Sequence, residues 1–192
     1  MKIILASESK RRKDLLEKIN LKFDVVNSLF DENSININHK NPEKYCSYLA
    51  FKKAEKISEK YQGCLVIGSD TIVYHKNKII GKPKNKEDAI KQLTILSNSQ
   101  HIVYTAVHII NENLKINECF IDSTYVTFNK LNNKDIEYYI DNYQPYDKAG
   151  SYGIQDWSSV FVKKIDGCFY NVVGFPLPKF YKLLHKILLK NN

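Results

Sequence analysis

Two adjacent arginines, Arg11 and Arg12, stand near the start of the chain, shortly after Ser7. The apolar run over residues 3–5 predicts a short buried strand, and residues 14–19 have helical periodicity. Cations in the first turn of a helix face the positive end of its dipole, which suggests an anion to be bound. Backbone N–H groups, a serine hydroxyl and guanidinium forks together suit a polyphosphate. The alternative is a serine N-cap followed by a solvated basic face.

An aspartate, Asp70, lies in the middle of the β-rich run over residues 64–74. An ionised carboxylate inside a buried strand costs free energy unless it is paired or binds a metal. The neighbouring Gly68 predicts a bulge or a close approach of another backbone. An aspartate in a solvated turn between two short strands is the alternative, but β-branched residues on both sides disfavour it. Asp70 is therefore a candidate functional residue.

Two lysines could serve the same site. Pro42 opens a helix whose apolar arc consists of Cys46, Leu49, Ala50, Ala54, Ile57 and Tyr61. Lys53 falls inside that arc, where its ammonium either extends to the edge of the core or reaches an acidic ligand in a cleft. Lys82 follows a predicted hairpin that returns it to the end of the strand where Asp70 lies. An ordinary solvated loop lysine is the alternative for Lys82.

A second informative loop covers residues 146–155. Two glycines, Gly150 and Gly153, frame Tyr152, so the backbone can turn sharply and approach a ligand closely. Gln155 offers both a donor and an acceptor, which suits the reading of a base edge. An ordinary glycine-bearing connection is the alternative.

The elements that must position these residues follow a βαβα order, then a strand-rich stretch, then βα. Helices are predicted after residue 41, after Asn85, around residues 136–143 and from about residue 177 onward. Strands are predicted over residues 21–26, 64–74, 79–80, 101–110, 114–128, 160–162 and 170–173. This order predicts one domain over residues 1–192 with an α/β or α+β fold, a mixed sheet, and two lobes around a cleft.

Composition describes an ordinary globular protein, with 43% hydrophobic and 26% charged residues. No apolar run approaches the roughly 20 residues of a membrane span, and no signal peptide is visible. The four cysteines form no C-x-x-C pair, which argues against zinc and disulfides and favours the cytoplasm. We therefore expect no membrane partner.

The formal charge of +8 suits an acidic partner, either nucleic acid or a nucleotide. A nucleic-acid-binding module would show salt-dependent binding and no turnover. The basic residues are spread along the chain, and no helix-turn-helix, zinc or OB pattern is present. The net charge therefore decides little between the two, although the absence of these patterns counts against a nucleic-acid-binding module.

With these motifs in place, the sequence resembles the Maf family of nucleoside triphosphate pyrophosphatases. Seven segments carry the resemblance in the family's order and span nearly the whole chain. They are L-A-S-x-S-P-R-R at 5–12, the glutamate Glu32, L-A-x-x-K-A at 49–54, G-S-D-T at 68–71, G-K-P at 81–83, D-K-A-G-x-Y-G-I-Q at 147–155 and V-V-G-x-P-L at 172–177.

The resemblance implies an elongated fold like that of the inosine triphosphate pyrophosphatases. It implies hydrolysis of a nucleoside triphosphate to the monophosphate and pyrophosphate, with a divalent metal, magnesium or manganese. Asp70 would be the general base, and Glu32 would help Asp70 to hold the metal. The residues that would hold the triphosphate and stabilise developing charge are Ser7, Arg11, Arg12, Lys53 and Lys82.

Within the family, Arg11, Thr71 and Gln155 resemble the dTTP/UTP type. Two departures are present: Lys10 replaces the usual proline, and residues 156–158 replace a small glycine-rich sequence. The family commonly dimerises, so a homodimer is expected. A regulator of cell division that binds nucleotide without hydrolysing it is the remaining alternative, although Asp70 and both lysines are retained.

Overall fold

The computed structural model describes residues 1–31 and 41–190 of the 192. Six helices and seven strands form within these ranges. The strands are β1 (Ile3–Leu5), β2 (Asp24–Val25), β3 (Leu65–His75), β4 (Lys78–Ile80), β5 (Gln100–Asn111), β6 (Ile116–Phe128) and β7 (Val162–Asp166). The helices are α1 (Lys10–Glu17), α2 (Pro42–Ser58), α3 (Lys86–Leu96), α4 (Asn133–Tyr143), α5 (Phe169–Val173) and α6 (Leu177–Lys190).

The strands form one sheet in the order β2-β1-β3-β5-β6-β7, with β4 paired to β3. Strand β1 runs parallel to both β2 and β3, whereas all other pairs are antiparallel. The prediction of a mixed α/β sheet is therefore confirmed. The single-domain assignment over residues 1–192 stays a prediction.

One edge of β3 changes partner along its length. Residues 65–67 pair with β1, and residues 73–75 pair with β4. Between them, residues 68–72 have no strand partner on that edge among the described strands, whereas their other edge pairs continuously with β5. This interruption in pairing leaves the middle of β3 beside a cleft.

Side chains of β3 alternate between two faces of the sheet. Val66 and Ile72 pack on the side covered by α2, whereas Leu65, Ile67 and Val73 join the main core on the opposite side. Asp70 shares the α2 face, and its neighbour Thr71 shares the opposite one. Two adjacent residues thus serve two different layers of the protein.

The sequence signal at Gly68 is explained by the packing of α2 on β3. A methyl group added at Gly68 would collide with the carbonyl oxygen of Ala50 and the backbone nitrogen of Ala54. The close backbone approach predicted for this glycine is therefore confirmed. It brings α2 near enough for its side chains to reach the middle of β3.

The main core lies on the side of the sheet opposite α2. Its fully buried side chains include Leu16 of α1, Leu93 of α3, Tyr139 of α4 and Phe180 of α6. Burying each such side chain contributes about 1.5–3 kcal/mol. This core holds α1 in place, and the first residues of α1 line the cleft.

Asparagine side chains cap three of the helices. The Oδ1 atoms of Asn41, Asn85 and Asn132 accept hydrogen bonds from backbone N–H groups three residues later, at 3.0, 2.9 and 2.8 Å. The predicted starts of α2 and α3 are therefore confirmed. Tyr61, placed on the apolar arc of α2, instead lies beyond the helix and is 39% exposed.

Two predicted strands near the C-terminus are wrong. Residues 157–161 form a 3-10 turn, and strand β7 begins only at Val162. The segment predicted as a strand over residues 170–173 lies in helix α5. The strand predicted over residues 21–26 is reduced to the two residues of β2.

Tertiary hydrogen bonds explain why α5 is helical despite its β-branched valines. The side-chain amide of Asn171 is fully buried and donates to the Val103 carbonyl oxygen and to Thr124 Oγ1, both at 2.9 Å. Gly174 ends the helix with φ at 118°, a conformation that favours glycine. Neither effect is visible in the local hydrophobic pattern.

Candidate active site

A cleft of about 680 Å³ lies where the β1–α1 turn, the middle of β3 and the loop around residues 147–155 meet. Eight of the nine residues singled out from the sequence line it. They are Ser7, Arg11, Arg12, Lys53, Asp70, Thr71, Lys82 and Gln155. The ninth, Glu32, lies outside the described residues. Segments that are far apart in the sequence thus converge on one site.

The floor of the cleft carries an ion pair. Lys53 Nζ of α2 lies 2.5 Å from Asp70 Oδ1 of β3, and their side chains are only 12% and 8% exposed. Of the two alternatives for Lys53, the structure has the lysine at an acidic partner beside the cleft. Because the pair is nearly buried, removing Lys53 would leave the Asp70 carboxylate in a nearly buried position without its cation.

Arg12 organises the β1–α1 turn from a buried position. Its Nε donates to the Gly174 carbonyl oxygen at 2.9 Å, its Nη1 to Ser7 Oγ at 3.1 Å, and its Nη2 to Thr71 Oγ1 at 3.1 Å. Ser7 Oγ also accepts from the Ser9 N–H at 3.2 Å. With both lone pairs accepting, the Ser7 hydroxyl is left to donate its own proton, which suits a phosphate oxygen.

Arg11 joins α1 to the loop on the other side of the cleft. Its Nη1 lies 2.6 Å from Asp147 Oδ2, and its Nη2 donates to the Asp147 carbonyl oxygen at 3.4 Å. Lys148 Nζ lies 2.7 Å from the other Asp147 oxygen and 3.5 Å from Asp156 Oδ2. Burial raises the pKa of Asp147, but Lys148 and Arg11 outweigh burial and leave that pKa below its ordinary value.

The glycine-framed loop, residues 146–155, is held in place by contacts with Val73 and His101. Gly150 has φ at 71°, and a methyl group there would press against Val73. The Tyr152 hydroxyl lies 2.8 Å from His101 Nε2, and both side chains are buried. Burial, with a smaller effect of His75, lowers the pKa of His101 to about 3, so this histidine is neutral and structural.

The two remaining residues predicted to bind the substrate are Lys82 and Gln155, and both are exposed at the cleft. The carbonyl oxygen of Gly81 accepts from the Gly150 N–H at 3.0 Å, which ties the Lys82 segment to the glycine-framed loop. Both side chains are thus carried by a connected framework and face the volume of the cleft.

Residues 2–187 match the family profile described as Maf-like protein. The chain belongs to the Maf-like family. A relative from Clostridium perfringens strain SM101, named dTTP/UTP pyrophosphatase, is 44% identical over 187 residues, covering 96% of each chain. A Thermosipho melanesiensis relative of the same name is 45% identical over 184 residues, covering 96% of this chain and 97% of the relative. The Staphylococcus aureus Ham1 structure matches 67% of this chain and 72% of its own, with 14% identity and a TM-score of 0.42.

Sequence reasoning missed two residues of the Maf-like cleft. Lys148 lines the cleft with a side chain only 13% exposed, held between two carboxylates. Its place inside the D-K-A-G motif was the available signal. Tyr45, in the first turns of α2, also lines the cleft. It directly precedes the buried Cys46, and nothing in the local pattern distinguishes it from a surface tyrosine.

The two departures from the family pattern have different surroundings. Lys10 lines the cleft at the start of α1. Residues 156–158, in contrast, are not among the described residues that line it. Asp156 pairs with Lys148, and Trp157 packs against Phe161 with ring centroids 5.6 Å apart. This segment supports the loop from behind.

The donor set fits a metal that arrives with a ligand. Within residues 1–31 and 41–190, no three His, Cys, Asp or Glu side chains form a group that could hold a metal ion. Asp70 supplies one carboxylate at the cleft. Magnesium is commonly held by one or two carboxylates together with substrate phosphates and water. A carboxylate beside cationic residues suits that mode of binding.

Proposed function

We propose that this chain hydrolyses dTTP and UTP to the nucleoside monophosphate and pyrophosphate. The observation that carries the proposal is the buried Lys53–Asp70 pair at the floor of a cleft lined by further cations. Two relatives of at least 44% identity with the name dTTP/UTP pyrophosphatase support the same activity. A cationic cleft with a nearly buried carboxylate, Asp70, suits a triphosphate and an activated water.

The triphosphate is bound by the β1–α1 turn and the residues facing it. Ser7 donates its hydroxyl proton to a phosphate oxygen, and Arg11 exchanges part of its contact with Asp147 for phosphate. Arg12 holds Ser7 in place and adds positive charge. Lys82, which also lines the cleft, supplies a further positive charge to the phosphates.

Asp70 acts as the general base in this proposal. Its carboxylate takes a proton from a water molecule, whose oxygen attacks the α-phosphorus. The bond from the α-phosphorus to the bridging oxygen breaks, and the electron pair leaves with pyrophosphate. Lys53 and Lys82 stabilise the negative charge that develops on the phosphate oxygens. Lys53 also holds the Asp70 carboxylate in a fixed position.

A divalent cation, magnesium or manganese, would be held by Asp70 and Glu32 together with the phosphates. When bound, it would neutralise phosphate charge and orient the reacting groups. Asp70 is suitably placed at the cleft. Glu32 lies outside the described residues and enters as a proposal from the family resemblance.

Base preference is assigned to Thr71 and Gln155, which both line the cleft. The Gln155 side-chain amide offers a donor and an acceptor, and a pyrimidine with an N–H next to a carbonyl presents the complementary pair. Direct contacts of this kind discriminate strongly because an unmatched base leaves polar groups unpaired.

The partners follow from the same proposal. A small nucleoside triphosphate is the ligand, with no stable nucleic acid complex and no membrane partner, and the chain forms a homodimer in the cytoplasm. No helix in the described part of the chain is long and apolar enough to cross a membrane. All four cysteines are free, which is typical of a reducing compartment.

The proposal is tested by pyrophosphate release from dTTP, UTP, CTP, ATP and GTP, with magnesium, with manganese and with chelator. We expect metal-dependent release, fastest with dTTP and UTP. Preferential turnover of a purine would retain the reaction and overturn the roles of Thr71 and Gln155. No release from any of the five would contradict the proposed activity.

A further inference from the structure

Thr105 of β5 lies behind the cleft, directly opposite Thr71 in the register of β3 and β5. It is fully buried and is not among the described residues that line the cleft. Its Oγ1 lies 3.0 Å from Thr71 Oγ1. Thr71 in turn accepts from Arg12 Nη2 at 3.1 Å. A buried hydroxyl is thus one hydrogen bond away from the nucleotide site.

The chemistry of these groups sets the direction of the hydrogen bonds. Thr105 Oγ1 donates its only proton to the Asn171 carbonyl oxygen at 3.0 Å, because a carbonyl can only accept. Thr71 must therefore donate in the Thr71–Thr105 pair. The competing acceptor for that proton, the Gly174 carbonyl oxygen, is farther away at 3.4 Å. A guanidinium only donates, so the bonds run from Arg12 through Thr71 and Thr105 to Asn171.

We propose that Thr105 is a positioning residue for nucleotide binding, acting through Thr71 on Arg12. This inference rests on the proposed function. Arg12 is also the donor to Ser7 Oγ, so its orientation determines where the serine hydroxyl points. Thr105 holds the Thr71 end of this series of hydrogen bonds without contacting the nucleotide. Aligned bonds of this kind strengthen one another in a buried setting.

The substitution Thr105→Val removes the hydroxyl while keeping the shape of the side chain. The Asn171 carbonyl oxygen keeps the Gly174 N–H as a donor at 3.1 Å, so we expect the variant to fold. The Thr71 hydroxyl is then free to rotate toward Gly174, which loosens Arg12. We expect the KM for UTP to rise about fivefold, the effect of one lost hydrogen bond, with kcat nearly unchanged. Thr105→Ser keeps the hydroxyl and should restore the wild-type KM.

Thr124→Val is the matched control. Thr124 is also fully buried, and its Oγ1 accepts from Asn171 Nδ2 at 2.9 Å and donates to the Cys168 carbonyl oxygen at 3.2 Å. It therefore helps to dock α5, as Thr105 does, but has no hydrogen bond with Thr71. We expect its KM for UTP to stay near the wild-type value. An equal rise of KM in both variants would show that loosening of α5 is the cause and would overturn the proposal.

A double-mutant cycle distinguishes a positioning role that acts through Thr71 from a merely structural role of Thr105. If Thr105 acts through Thr71, Thr105→Val should add nothing to the KM change that Thr71→Val produces alone. Additive effects of the two substitutions would contradict the proposal. Should Thr105→Val fail to fold, the same cycle is measured with Thr105→Ala, with thermal unfolding of each variant as the check.

Failure of the proposed function is distinguished by equilibrium titration of UTP in the presence of chelator. If the wild-type chain binds UTP without hydrolysing it, the same fivefold weakening is expected in the dissociation constant for Thr105→Val, and the positioning role survives the loss of the catalytic proposal. If the Thr105→Val variant has the same dissociation constant for UTP as the wild type, the positioning role is wrong whatever the turnover. If the wild-type chain neither binds UTP in chelator nor releases pyrophosphate from it with magnesium, both proposals are wrong.

Discussion

The ammonium nitrogen of Lys53 on α2 lies 2.5 Å from the Oδ1 oxygen of Asp70 on β3. The pair forms because Gly68 lets the backbone of α2 come close to β3, and because strand alternation directs Asp70 toward that helix. The same alternation directs Thr71 to the other face, where it meets Arg12. Two adjacent residues of one strand thereby contact α2 on one face of the sheet and Arg12 of α1 on the other.

Replacing Lys53 by Met should destabilise the protein strongly. The substitution leaves Asp70 nearly buried without its cation, and breaking a buried pair in this way costs about 3 kcal/mol. Lys52→Met is the control, because Lys52 pairs with Glu55 at 2.5 Å near the surface of the same helix. Its loss should cost less than about 0.5 kcal/mol. Urea unfolding of both variants checks this, and equal losses would contradict a special role for the buried pair.

Replacing Gly68 by Ala should disturb both stability and the site. The added methyl group meets the backbone of α2, which must move away from β3 and carry Lys53 with it. Overpacking of this kind costs about 1–3 kcal/mol. Gly81→Ala is the control for stability, since a methyl group there would meet nothing within 4 Å. A stable Gly68→Ala variant would show that α2 does not need this close approach.

Arg11→Lys should weaken substrate binding while keeping the charge. A lysine cannot reproduce the two N–H contacts that Arg11 makes with Asp147, nor grip a phosphate with a planar fork. We expect the KM for UTP to rise about tenfold, with a smaller change in kcat. Lys13→Ala, at an exposed pair with Glu17 on the same helix, should leave KM unchanged. An unaltered KM in Arg11→Lys would remove Arg11 from the phosphate site.

Stability should fall in mild acid because of His101. Burial lowers its folded-state pKa from 6.5 to about 3, so the unfolded chain takes up a proton that the folded chain refuses. The contribution of His101 to the free energy of unfolding is therefore present above pH 6.5 and is lost progressively as the pH falls toward 3. Between pH 6.5 and about 5 the loss is about 2 kcal/mol. Urea unfolding across this range should show a smaller decline in His101→Gln than in the wild type, because only His108, whose pKa burial also lowers, still contributes in the same direction.

His185→Gln serves as the control for this experiment, because His185 is exposed on α6. The control should keep the wild-type decline of stability with acid. A decline in His101→Gln as large as that of the wild type would assign the pH dependence to another group.

Local patterns and the family resemblance together predicted much of the fold and singled out eight residues that line one cleft. Helix starts at Asn41 and Asn85 could be read because a cap is a local interaction. Lys53 could not be settled from α2 alone, since its partner depends on the approach of β3. Helix α5 was mistaken for a strand because its conformation depends on buried bonds from Asn171 to two other strands.

The role of Asp70 is tested most directly by Asp70→Asn, measured for both UTP binding and pyrophosphate release. The amide keeps the shape of the side chain and an acceptor for Lys53, so we expect the dissociation constant in chelator to stay within about threefold of wild type. Turnover should fall by about 10²–10⁴, the usual contribution of a general base. Asp166→Asn, at an exposed position, should leave both quantities unchanged. Wild-type turnover by Asp70→Asn would contradict the account.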